Sequence, residues 1–146
     1  MSFPSSKNVF DYRYRGWRFP TLGFALLSNE RILGHNRGLK EESLLISTLS
    51  APIQTFDDKD LYFRLFEKVA ALGFGVARNH AFHDGNKRTS LFIVEACLEW
   101  NGYYLEFSQD IITLIFSLLG AGHLEQAGFQ HALLLGCGQD PVENIP

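Results

Sequence analysis

Along most of the chain the apolar positions recur at the spacing of helices rather than strands. Leu22, Ala25, Leu26, Asn29, Ile32 and Leu33 share one face, with Thr21 placed to cap its start and Gly34 to end it. A second helix is predicted from about Lys40 to Ser50, burying Leu44, Leu45 and Leu49 before Pro52 stops it, after a turn over His35, Asn36, Arg37 and Gly38. Residues 51–60 read as a polar loop. A third helix over 60–78 carries Leu65, Val69, Leu72 and Val76. Gly73 and Gly75 weaken it by about 1 kcal/mol each relative to alanine, so a closely packed neighbour is expected there. The segment Leu91–Trp100 is apolar nearly all round; its acidic residues, Glu95 and Glu99, lie four apart on one stripe, and Asn101-Gly102 ends it. Residues 103–107 are short and extended. Ser108 and Asp110 open a helix through Leu119, and a last one covers 124–135. The pattern predicts one all-α domain over 21–137, preceded by an arm (1–20) and followed by a tail (138–146).

Composition narrows this picture. A chain of 146 residues, 46% hydrophobic and 20% charged, suits one compact domain with a real core. The net charge is only −3 but unevenly placed. Residues 1–40 hold seven Lys/Arg against two Asp/Glu, and residues 41–88 hold six against seven. Residues 89–146 hold seven acidic residues and no Lys or Arg. That distribution argues for a focused phosphate site ending at Lys87 and Arg88, and against a broad nucleic-acid surface. Tyr12, Arg13, Tyr14, Arg15 and Trp17 interleave aromatics with arginines; packing of these aromatics on the domain is favoured over contact with a partner or nucleic acid. Cys97 and Cys137 are expected as free thiols. No signal-peptide pattern and no membrane-length apolar run is seen, so a cytoplasmic protein is expected.

The candidate chemistry lies in one stretch, HAFHDGNKRTS, His80 to Ser90. It joins a histidine, a carboxylate, a glycine–asparagine turn and two cations immediately before an apolar helix. A helix N-terminus offers unpaired N–H groups and a positive dipole end, for which phosphate is the natural ligand. His80 suits a general base, and Asp84 suits a divalent cation whose other ligands are phosphate oxygens and water. Gly85, Asn86, Lys87 and Arg88 are the phosphate-binding candidates. Phe82 reads as a buried anchor and His83 as exposed; Asp84 has a simpler reading as a helix cap, and Asn86 as a turn residue.

His80, Phe82, Asp84, Gly85, Asn86, Lys87 and Arg88 match the signature of the Fic/Doc family, and the chain resembles most its Doc ("death on curing") branch, which has lysine where the AMP-transferring branch usually has glycine. The second arginine of that other branch is replaced by Leu91. The resemblance extends more weakly from about Thr21 to Cys137. It implies a Fic/Doc-like helical domain whose active loop leads into a buried central helix. It also implies an ATP-dependent protein kinase toxin with Mg²⁺, phosphorylating a Ser/Thr hydroxyl of a target such as a translation elongation factor. In that scheme His80 is the base, Asp84 holds the metal, Gly85 to Lys87 form the anion hole and Arg88 clamps phosphate. A flap that aligns the target peptide is implied near 51–60, and a small antitoxin as partner. The internal inhibitory string of self-restrained Fic proteins is missing: Glu143-Asn144 has the right end, but Gln139 stands where a hydroxyl residue is needed.

Three alternatives remain. An AMP transferase uses the same loop with the nucleotide reversed. A non-catalytic binding or regulatory module keeps the loop without turnover. A metal phosphohydrolase built on His83-Asp84 would need His35 and Asp110 as further ligands and leaves Gly85 to Arg88 unexplained.

Overall fold

A computed structural model of the chain describes residues 3–4, 9–35 and 38–141. Six α-helices make up the domain: α1 (Leu22–Leu33), α2 (Glu42–Leu49), α3 (Leu65–Arg78), α4 (Asn86–Trp100), α5 (Gln109–Gly120) and α6 (Gln126–Gly136). Two short antiparallel hairpins complete it, β1 (Asp11–Tyr14) with β2 (Trp17–Pro20), and β3 (Thr55–Phe56) with β4 (Lys59–Asp60). No described helix is long and apolar enough to cross a membrane. Both cysteines are free, Cys97 within the core.

The helix ends fall where the caps predict. Thr21 Oγ1 accepts from Phe24 N at 3.2 Å, and Gly34 closes α1 in the left-handed conformation. Ser108 caps α5 in the same way through Ile111 N. Helix α3 begins at Leu65, five residues later than the periodicity suggests, because Asp60 belongs to a hairpin. Its neighbour Arg64 has its backbone N–H held by Glu67 Oε1 at 3.1 Å.

Helices α3 and α4 form the centre, and α3 is the more enclosed: 11 of its 14 residues are buried. The two glycines explain how closely it is approached. A Cβ on Gly73 would lie 2.6 Å from Val94 Cγ2 of α4 and 2.9 Å from the Phe129 ring of α6, and one on Gly75 2.7 Å from Thr48 Cγ2 of α2. Ser90 Oγ donates to Gly73 O at 2.7 Å, so α4 is pinned to α3 one turn into its length. The pairing thereby fixes the loop between them.

The hairpins stand where the sequence predicts an arm, its aromatics packed on the domain, and a polar loop. Residues 11–20 pack Phe19 and Tyr12 into the core, and Asn101 Nδ2 donates to Arg18 O at 2.8 Å. Residues 55–60, expected as an irregular loop, turn through Asp57 (φ 54°) and Asp58 (φ 62°). Positive φ at both central residues is what a tight two-residue hairpin needs, and aspartate tolerates it. Asn36, Arg37, Glu143 and Asn144 lie outside the described residues.

Candidate active site

The loop is built by backbone bonds and presents side chains. After α3 ends at Arg78, His80 takes a left-handed conformation (φ 55°) that turns the chain and leaves the residue exposed. Phe82, 2% exposed, then drops into the core as the anchor the sequence suggests. The loop is stitched to residues 38–41: Lys40 N and Glu41 N donate to Ala81 O at 2.9 and 3.2 Å, and His83 N donates to Gly38 O at 2.6 Å. Gly38 has no room for a side chain, because a Cβ there would fall 1.7 Å from Asn29 Oδ1.

Asn86 has a different task from the one its phosphate-binding reading gives it. Its Oδ1 accepts from Phe82 N at 3.2 Å and its Nδ2 donates to Phe82 O at 3.0 Å. Both ends of the amide are thus spent on bracing the loop, and what Asn86 offers a ligand is its backbone N–H. Gly85 precedes it at φ 78° and donates its own N–H to Asp84 Oδ1 at 2.7 Å. Asp84 is therefore tied to the turn and does not cap α4, which has no side-chain cap. The first intrahelical donor is Thr89 N, to Gly85 O at 2.8 Å. The N–H groups of Asn86, Lys87 and Arg88 are left as the orphan donors of the helix start. Of the expected Gly85–Lys87 set, the Gly85 amide is engaged by Asp84, and the unengaged amides at this turn are those of residues 86–88.

These groups converge on one open pocket of about 280 Å³. His80, Asp84, Lys87 and Arg88 line it, with Gly120 and Ala121 from the end of α5 opposite. The Lys87 stem lies over Gly120, where a Cβ would come within 2.3 Å of Cγ. No Phe, Tyr or Trp is among the described lining residues, and the volume is small for a whole nucleotide. It suits a phosphate chain.

The model of the Fic/DOC family matches residues 23–98, which take in nearly all of α1, then α2, α3, the loop and most of α4. The chain belongs to the Fic/Doc family. Over 73 residues it is 38% identical to the "Toxin Doc" of Mycolicibacterium smegmatis, an alignment that takes in 50% of this chain. The match spans 56%, a little over half, of that relative's length. The helical fold expected from the resemblance is the one observed.

Every residue of the Fic/Doc signature is brought to the pocket or to its support. Leu91, at the position of the second arginine of the AMP-transferring branch, packs against the core and has no role in the pocket. The ligands of the phosphohydrolase alternative do not assemble: among the described residues no three His, Cys, Asp or Glu gather as a metal group. One supporting residue was missed. Asn29, 2% exposed on α1, donates from Nδ2 to Asp84 O at 3.1 Å and to Thr89 Oγ1 at 3.0 Å, holding the loop across the helix start. The available signal was an amide in the apolar stripe of α1, since a buried polar group must be paired with something.

Proposed function

We propose that the chain transfers the γ-phosphoryl group of ATP to a serine or threonine hydroxyl of a protein. The observation that carries this is the coincidence of uncapped α4 amides, Lys87 and Arg88 with a histidine on one phosphate-sized pocket. Imidazole accepts protons near neutral pH, so His80 takes the hydroxyl proton as the new O–P bond forms and the β–γ bridging bond breaks. The N–H groups of residues 86–88 and the Arg88 guanidinium stabilise charge on the phosphoryl oxygens. A lone carboxylate at the pocket fits a Mg²⁺ ion that arrives with the nucleotide phosphates and keeps several waters; Asp84 would hold it there, neutralising phosphate charge.

The kinase reading is preferred over AMP transfer for two reasons. Lys87 places a long cation in the pocket where the other branch has a bare glycine. Leu91 cannot supply that branch's second phosphate clamp. Similarity to a toxin supports a toxin held in check by a small antitoxin, whose segment would cover the pocket. The deciding experiment incubates the chain and candidate acceptors with ATP labelled at the α or the γ position. Transfer of γ-label supports the proposal. Transfer of α-label alone assigns AMP transfer, and transfer of neither assigns a binding module.

A further inference from the structure

A second, roomier cavity lies at the other end of α3. About 680 Å³ opens around the first turn of that helix, within the range of small-molecule sites. Fourteen residues of helix put it some 20 Å from the active loop, so the two cannot hold one nucleotide. Its lining includes aromatic rings, Trp17, the strongly exposed Phe63, and the edge-to-face pair Phe66 and Tyr103 with ring centres 5.0 Å apart. It also includes cations, Arg15, Lys59 and Arg64.

Among the described lining residues the one carboxylate is already committed. Asp60 Oδ1 accepts from Tyr14 OH at 2.6 Å and from Arg15 Nη2 at 3.3 Å, and Oδ2 accepts from Lys68 Nζ at 3.0 Å. Lys59 and Arg64 are left to confer a net positive charge. Arg64 Nε is buried and has no hydrogen-bond partner among the described residues, so that donor is not satisfied by the protein. The helix start adds more donors of the same kind. Glu67 Oε1 takes the Arg64 amide, and Leu65 and Phe66, whose amides are orphan donors of the helix start, line the cavity. Orphan amides, an unpaired guanidinium N–H and a second cation are the recognition chemistry of phosphate. Rings in the same lining are the recognition chemistry of a planar base.

We propose that this cavity binds an aromatic anion of mononucleotide size, its ring against Trp17 and Phe63 and its phosphate at Arg64, Lys59 and the start of α3. The site is independent of the transfer reaction and does not rest on it.

The test uses adenosine 5′-monophosphate as probe, titrated calorimetrically into the full chain carrying Lys87→Ala and Arg88→Ala, so that the active loop has lost its cations. Binding with Kd below about 1 mM is expected, with adenosine and inorganic phosphate each at least tenfold weaker and with a change in Trp17 fluorescence on saturation. In that background Arg64→Gln is expected to weaken binding about tenfold or more, and Lys59→Ala, on an exposed hairpin, about threefold to tenfold. Lys59→Ala keeps the test valid should Arg64→Gln disturb the start of α3. Absence of binding at 1 mM in the Lys87/Arg88 background overturns the proposal. So does an affinity unchanged by both Lys59→Ala and Arg64→Gln.

Discussion

The two ends of α3 each have an aspartate beside cations, and they are used in opposite ways. Asp60, 6% exposed, is saturated by Tyr14, Arg15 and the fully buried Lys68, whose ammonium also donates to Pro52 O at 2.6 Å. Burial would raise the Asp60 carboxyl, but the hydrogen bonds from Tyr14, Lys68 and Arg15 outweigh it and hold it at about 2. Burial lowers the Lys68 ammonium, and the Asp60 carboxylate opposes this. Asp84, at the other end, is exposed, and the one bond of its carboxylate is to the next residue in its own turn. Satisfied charge ties two hairpins to a helix; charge left open to solvent by a braced backbone is available for a ligand. The same residue type is thus consumed by structure at one end and left exposed at the other.

The largest effect that can sharpen this contrast is at His80. Replacement by alanine is expected to lower transfer by about 10²- to 10⁴-fold, the usual worth of a general base. His80→Asn should do the same while keeping a residue that tolerates the left-handed backbone, and its melting temperature should match wild type. Near-normal label transfer by either variant rules out the assignment. Lys87→Gly comes next: it is expected to cut γ-transfer and raise the α-to-γ ratio of label, and unaltered kinase activity would show that the lysine does not select the nucleotide pose.

Asn29→Ala tests the bracing. It removes two hydrogen bonds from a buried site, at a cost of roughly 2 kcal/mol, or about 6 °C in melting temperature. Transfer should slow as well, because the Asp84 turn loses its support. A variant with lower stability and an unchanged rate would confine Asn29 to the fold. The smallest effect is in pH. The Asp60 carboxyl is depressed in the fold, so its contribution is complete above the ordinary value of 3.8 and is lost as pH falls toward about 2. Asp60→Asn should flatten that part of the acid-unfolding curve.

Much of this was legible in the chain because the signals were local. Thr21, Gly34 and Ser108 set helix ends, and Gly73 and Gly75 announced a crossing. The active loop was legible because its residues are consecutive. The hairpins were not: Arg15 (φ 57°), Asp57 and Asp58 adopt turn conformations that glycine or asparagine would have advertised. The late start of α3 depends on Asp60 meeting Tyr14, 46 residues away. Asn29 meets Asp84 and Thr89 over a similar separation, and helical spacing alone cannot tell a buried amide from an apolar neighbour.

The most direct test measures label transfer and thermal melting on the same preparations of Asp84→Asn and Asp60→Asn. Asp84→Asn should lose most of its transfer and melt as wild type does. Asp60→Asn leaves Lys68 buried without its counter-charge, which costs on the order of 3 kcal/mol, yet it should transfer at the wild-type rate well below its melting temperature. Full activity in Asp84→Asn together with its loss in folded Asp60→Asn would contradict the division between the two ends of α3.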